Sequence, residues 1–220
     1  TYVQSLTHEM KSPVAAIRSS AELAAEPGIP QPDQARFLKH IEAESGRMQR
    51  IIDRLLALSE IESRKTLDKP ELLNFATLVQ DACESLRPAF EARNIRLNVD
   101  AVPNAMVRGD AMLLEMAVDN LIQNALDFSP ASSVVQVLVS MAGSQVTVEV
   151  RDEGTGIPEY ALDRVFERFY SLSHPATGRK SSGLGLCFVK EAAELHHGSA
   201  SLTNRQDRSG AVAALTLPGA

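Results

Sequence analysis

From Thr1 to about Arg64, apolar side chains return at helical spacing, first as Leu6, Met10, Val14, Ile17, Ala21 and Ala24. The run breaks at Pro27-Gly28-Ile29-Pro30-Gln31-Pro32, where residues that punctuate helices crowd together. A second run carries Leu38, Ile41, Ser45, Met48, Ile52 and Leu55, and Ile51, Leu56 and Leu58 widen its apolar face. The pattern predicts an antiparallel helical hairpin over residues 1–64. A lone hairpin leaves much of both faces in water, so two copies are expected to pair as a dimeric four-helix bundle. Packing of the hairpin on the rest of its own chain is the alternative.

Residues 65–74 are polar around Lys69-Pro70 and read as a linker. Beyond them the period changes. Strand-like alternation marks Ile95–Val99, Val135–Val139, Val146–Val150 and Ala211–Leu217, with helical patterns at about 75–92, 110–127, 159–166 and 184–196. Two of the strands adjoin through Ala142-Gly143-Ser144. A mixed sheet covered on one face by helices fits this order best, so residues 75–220 are expected to form a two-layer α/β sandwich. The whole chain is then α+β: a helical hairpin followed by the sandwich.

Composition changes this picture only at its edges. The 220 residues are 44% hydrophobic and 23% charged, which suits a chain that buries real cores. A net charge of −6 and the lack of a basic patch argue against nucleic acid as a partner. Cys83 and Cys187 follow neither a metal-ligand nor a redox spacing and read as reduced core residues. No apolar run approaches the roughly 20 residues that span a bilayer. The helical pattern is already under way at Thr1, which raises the expectation of an upstream segment.

Several residues carry candidate chemistry. His8 lies between Leu6 and Met10 and should project away from the seam they define. Glu9 beside it can accept the ring proton or fix the tautomer that frees the other nitrogen to attack. Pro13 cannot donate to the Glu9 carbonyl, so a bend is expected one turn after His8. Further on, Asp152-Glu153-Gly154-Thr155-Gly156 leaves a strand end, where a carboxylate can accept from an exocyclic amine and glycines let backbone approach a base. By itself that pattern is also a common turn. Ser181-Ser182-Gly183-Leu184-Gly185-Leu186 opens a helix, whose free N–H groups suit phosphate, although no Walker lysine accompanies them. Asn120, Asn124 and Asp127 share one face of a helix, a polar stripe that could coordinate Mg²⁺ or simply meet solvent. Between the glycine boxes, Arg164-Val165-Phe166-Glu167-Arg168-Phe169-Tyr170 leads into a polar stretch with Arg179 and Lys180 that reads as a lid over phosphate.

In the order His8-Glu9, Asn120, Asn124, Asp152-x-Gly154-x-Gly156, Phe166, Gly183-x-Gly185-Leu186, the chain resembles the sensor histidine kinases over nearly its full length. The resemblance implies a dimeric helical domain that bears the phosphorylated histidine, and an ATP-binding domain of the gyrase, Hsp90 and MutL type. It implies His8 as phosphoacceptor, Glu9 as base, Asn120 and Asn124 on Mg²⁺, and Asp152 on adenine. It extends the ATP contacts to Asp127, Gly154, Gly156, Ile157, Arg168, Tyr170, Lys180, Ser182, Gly183, Leu184, Gly185 and Leu186. Thr7-His8-Glu9-Met10-Lys11-Ser12-Pro13, Asp127-Phe128-Ser129-Pro130 and Phe169-Tyr170-Ser171-Leu172 look in particular like the CreC-type sensor kinases. That narrower likeness implies a CreB-type response regulator receiver domain as partner, and a cytoplasmic portion of a bacterial inner-membrane protein.

Three positions depart from the family pattern. Asp127 and Ser171 stand where many members have a basic residue, and Ser12 stands where Thr or Asn is more common, at the residue implicated in dephosphorylating the regulator. Two rivals follow from the same residues. An ATP-hydrolysing chaperone or topoisomerase-like module would need a catalytic Glu where this chain has Asn120. A catalytically degenerate nucleotide-binding dimerisation module could retain every motif.

Overall fold

The computed structural model describes residues 2–63, 66–67, 69–173 and 181–220, with the side chains of 2–9, 54, 62 and 63 outside the description. The chain divides into two compact units, Thr1–Ala57 and Leu58–Ala220.

The first unit is built from α1 (Tyr2–Ala24) and most of α2 (Gln31–Ser63). Helix α1 continues through Pro13, which lies inside it. A turn closed by Ala25 N–H on the Ala21 carbonyl and Ile29 N–H on Glu26 leads to α2, and the Gln34 side chain donates back to the Ala24 carbonyl at 3.1 Å. Of the expected seam, Met10, Ile17 and Ala24 of α1 are sheltered, as are Ile41, Met48, Ile51, Ile52, Leu55 and Leu58 of α2. Val14 and Ala21 of α1 and Leu38, Ser45 and Leu56 of α2 are exposed instead. Pro13 and Ser20 are buried, so that Met10, Pro13, Ile17, Ser20 and Ala24 recur three and four residues apart, the period of helices that pack knobs into holes. Proline and serine at sheltered positions hid that register from a reading of apolar residues alone.

In the second unit, β1 (Glu71–Asn74) precedes α3 (Phe75–Ala92), β2 (Arg96–Ala101), β3 (Met106–Gly109) and α4 (Ala111–Phe128). Then come β4 (Val134–Ala142), β5 (Gln145–Arg151), the short α5 (Glu159–Leu162), α6 (Gly185–Leu195), β6 (Ser199–Asn204) and β7 (Ala211–Pro218). Five strands form a mixed sheet in the order β2-β4-β5-β7-β6, in which only β2 and β4 run parallel. The expected linker needs correction at its end: residues 71–74 are strand β1, paired antiparallel with β3 from Glu71↔Gly109 to Asn74↔Met106. Its length of four residues and lack of alternation concealed it.

One face of the main sheet is buried. Val135, Val137 and Val139 of β4, Val146, Val148 and Val150 of β5, and Ala213, Leu215 and Leu217 of β7 point into it, because successive strand residues alternate sides. Helices α3, α4 and α6 cover that face with Phe75, Phe90, Leu113, Leu114, Leu121, Ile122 and Phe188, all essentially inaccessible. Asn74 caps α3 through the Thr77 N–H, and Asp110 caps α4 through the Leu113 N–H at 3.2 Å. Behind the α4 cap, the buried His196 accepts the Asp110 N–H on Nε2 and donates from Nδ1 to the Ala192 carbonyl. Burial holds its imidazole below the ordinary value, in the neutral tautomer these bonds require.

Candidate active site

A cavity of about 530 Å³ opens between α4, the end of β5 and the start of α6. Its apolar walls come from Leu121, Ala125 and Phe128 of α4, Val150 of β5 and Ala213 of β7, with Ile157 and Tyr160 on the loop between β5 and α5 and on α5 itself. Volume and lining suit an organic ligand with a flat apolar part.

Asp152 is the buried carboxylate of this cavity. It follows β5 directly, so the strand fixes its place. Oδ1 accepts from the Gly154 N–H at 2.7 Å and the Ala211 N–H at 3.1 Å. Burial pushes its pKa up, against the pull of those two N–H groups and of the Arg205 guanidinium. Both recorded bonds fall on one oxygen, and the carboxylate belongs to a wall where an amine donor can meet it. Gly154 must be small, since a Cβ there would sit 2.7 Å from the Phe128 carbonyl.

Along α4, Asn120 is buried and Asn124 half-buried, one turn apart on a shared face. The Asn120 amide donates to the Met116 carbonyl at 2.8 Å, which leaves Oδ1 buried with no hydrogen-bond partner. Gly185 faces that oxygen: a Cβ on it would approach to 3.1 Å. A buried acceptor without a donor is costly in a finished core and reasonable beside a site for a hard cation and its waters. The oxygen donors of Asn120 and Asn124 therefore fit Mg²⁺. Asp127, one turn on, accepts from the Gln123 side chain at 2.9 Å.

The start of α6 is held against Phe169 and Tyr170. Gly183 has φ +61°, and its carbonyl accepts the Phe169 N–H at 3.0 Å. Phe169 itself has φ +60°, a conformation that costs a bulky residue energy. Tyr170 lines the cavity and receives the Arg164 guanidinium on its ring, 4.4 Å from the centroid.

Of the expected nucleotide residues, Asn124, Asp152, Gly156, Ile157, Tyr170, Gly183, Gly185 and Leu186 line this cavity. Others stand outside its lining. Leu184 is a core residue, the Ser182 hydroxyl accepts from the Leu184 N–H, and Arg168 pairs with Glu191 of α6 at 3.1 Å. Arg179 and Lys180 lie outside the described residues, as do the side chains of His8 and Glu9, while Ser12 is exposed on α1. Nothing in the sequence pattern singled out Asn204, Arg205, Arg208 and Ser209, which grip residues 152–157 from behind. Arg205 Nη1 donates to the Asp152 carbonyl at 3.2 Å, Ser209 Oγ to the Gly154 carbonyl at 2.7 Å, and Arg208 pairs with Glu153 at 2.9 Å. They sit on or next to a short strand whose partner lies beyond a polar turn, so the available signal was that of an ordinary hairpin.

Two family models match the chain: the His Kinase A (phospho-acceptor) domain over residues 1–64, and the histidine kinase-, DNA gyrase B- and HSP90-like ATPase over residues 109–220. The sensor protein CreC of Escherichia coli is 41% identical over 216 residues, covering 98% of this chain and 44% of that protein. The chain spans about half the length of the curated relatives it matches. Among solved structures, the Acinetobacter baumannii histidine kinase AdeS superposes with a TM-score of 0.72 at 19% identity, covering 96% of this chain and 98% of that one. The ATP binding domain of PrrB from Mycobacterium tuberculosis superposes with a TM-score of 0.56 at 29% identity, covering 70% of this chain and 99% of that one. With a phospho-acceptor hairpin followed by an ATPase domain of this type, the chain belongs to the sensor histidine kinases of two-component systems.

Proposed function

We propose that this chain is the catalytic core of a protein histidine kinase that transfers the γ-phosphoryl group of ATP to a ring nitrogen of His8 and then to an aspartate of a response regulator receiver domain. The buried Asp152 carboxylate in a largely apolar cavity carries the reading: it gives an adenine amine an acceptor among apolar walls. In the first step the ring nitrogen forms a bond to the γ-phosphorus, the bond to the bridging oxygen breaks, and ADP leaves. Glu9 holds the ring proton on the opposite side so that a lone pair faces the phosphorus. Asn120 and Asn124 would hold Mg²⁺, which when bound offsets the charge on the phosphate oxygens. The N–H groups at the start of α6 meet those oxygens from the other side.

The domain division proposed is a phosphotransfer hairpin at 1–64 and a catalytic domain whose expected start at residue 75 moves back to 71, because β1 pairs with β3. The hairpin forms a homodimer, and the similarity to CreC favours a CreB-type regulator and a membrane-bound parent protein whose cytoplasmic part this is. Ser12, exposed on α1, is the candidate for positioning the water of a reverse phosphatase reaction.

Incubation with γ-labelled ATP and Mg²⁺ is expected to give an acid-labile, alkali-stable label on the chain. His8→Gln abolishes it, and Asn124→Ala and Asp152→Ala lose it with circular dichroism unchanged. Label that persists in His8→Gln overturns the assignment. A second reading, a nucleotide-binding dimerisation module without turnover, draws support from Asp127, an acidic group where many members are basic. It predicts ATP binding with no label at all.

A further inference from the structure

Asp152, Thr155, Gly156 and Ile157 form one side of the cavity, and the β6–β7 hairpin holds their loop from outside. Asn204 ends β6 and is not part of the cavity lining. Its Oδ1 accepts the Ile157 N–H at 2.7 Å and its Nδ2 donates to the Ile157 carbonyl at 2.8 Å. One side-chain amide thus pairs with both backbone groups of one residue, as an adjacent strand would. Gly156, with φ +74°, lies directly against it: a Cβ there would stand 2.8 Å from Asn204 Oδ1. The pairing therefore depends on glycine at 156. Gly156 and Ile157 both line the cavity, so fixing their backbone fixes the wall a ligand meets.

The same hairpin sets the carboxylate. Arg205 donates to the Asp152 carbonyl while its Nε and Nη2 bind Asp207 at 3.0 and 2.8 Å, and the Ala211 N–H holds Asp152 Oδ1. Gly210 cannot carry a side chain, because its Cβ would collide with the Asp152 carbonyl. Arg205 and Ala211 hold residue 152, and among the described residues it is Asn204 that holds residue 157, at the far end of the loop.

We propose that Asn204 is a positioning residue for the nucleobase: it pins the Gly156-Ile157 backbone so that the loop and Asp152 close on the base edge together. The inference rests on the reading of this cavity as an adenine nucleotide site. Asn204 touches no ligand. Its removal leaves the Ile157 backbone paired only with water and free to move, which weakens base binding and leaves the phosphate end at α4 and α6 as it was.

The test is calorimetric titration of the full chain with ADP and with a non-hydrolysable ATP analogue, alongside the KM for ATP in the labelling reaction. Asn204→Ala is expected to weaken both ligands by the same factor, about tenfold for one to two lost hydrogen bonds. The KM for ATP rises by a similar factor, labelling at saturating ATP stays within twofold, and the preference for ADP over GDP narrows. Asn204→Asp is isosteric and turns the donor to the Ile157 carbonyl into an oxygen, so it weakens ADP at least as much. ADP affinity within twofold of the parent chain in both variants overturns the proposal, as does a loss confined to the saturated rate. Asp152→Asn run in parallel separates the two readings. Failure of the parent chain to bind ADP, or unchanged binding in Asp152→Asn, removes the adenine assignment and this inference with it. Weak binding in Asp152→Asn together with full binding in Asn204→Ala removes this inference alone.

Discussion

At the scale of one residue, the proposed role of Asp152 sets ligand binding against stability. Its folded pKa is raised above the ordinary 3.8 by burial, so the carboxyl contributes stability fully below that value and loses it as pH rises through the folded pKa. Wherever the carboxyl is ionised, its burial is a cost that an amine donor can offset. Asp152→Asn keeps an oxygen for the Gly154 and Ala211 N–H groups, so its melting temperature at pH 7.5 is expected to equal or exceed that of the parent chain. ADP affinity meanwhile falls about 10- to 100-fold, the loss expected of one charge-assisted hydrogen bond. His196 has the opposite sign. Its depressed pKa gives stability that is present above the ordinary 6.5 and lost as pH falls through the folded value, with Asp110 opposing and His197 adding to the shift. Denaturant titrations at pH 7.5 and 5.5 should show the chain weaker at the lower pH, and His196→Gln should flatten that difference. Both cysteines are buried, and burial pushes the Cys83 thiol up to about 12 and raises Cys187 as well. Neither should react with a thiol reagent at pH 8 until the chain is unfolded.

Elements fail where backbone meets backbone. At Gly183, which packs against residues 169–170 just ahead of α6, an added Cβ would lie 2.7 Å from the Phe169 Cα and the Tyr170 nitrogen, in a conformation with φ +61° that already disfavours side chains. Gly183→Ala is expected to cost about 1–3 kcal/mol from strain alone, read as a lower denaturation midpoint, and to weaken ADP binding because the α6 start shifts. The glycine pattern was visible in the sequence, but its reason was not. A glycine-rich helix start suggested phosphate, and the structure adds a second cause: two left-handed residues, Phe169 and Gly183, cross at close range. The long helices and the alternating strands β2, β4, β5 and β7 were legible, since their periods are carried by many residues. Strands β1, β3 and β6 were not. β1 and β3 have four residues each and become strands by pairing with each other across the chain, as Glu71 with Gly109, whereas β6 pairs with β7 in a hairpin and its small polar residues carried little apolar signal.

For the molecule as a whole, the exposed apolar side chains of the helical unit predict association. Val14 is 49% exposed, Leu38 55% and Leu56 60%, outside the sheltered seams of their helices. Sedimentation should give twice the 23.8 kDa chain mass, and Leu38→Asp with Leu56→Asp should shift it toward the monomer while ADP binding is retained. The sequence by itself determined the order of helical and α/β parts and the change from helical to strand period, and it nominated Asp152 at a strand end and the glycines before α6; His8 with Glu9 is its proposal, with side chains outside the described residues. Only the tertiary structure decided which of those residues share a cavity, which face of α1 is sheltered, and that the orphaned Asn120 oxygen lies against Gly185. It alone revealed the grip of Asn204, Arg205 and Ser209 on the loop at 152–157. The physical reason is range: periodicity and capping act over a few residues, whereas a cavity and its support join groups some fifty positions apart, and no local pattern encodes that meeting.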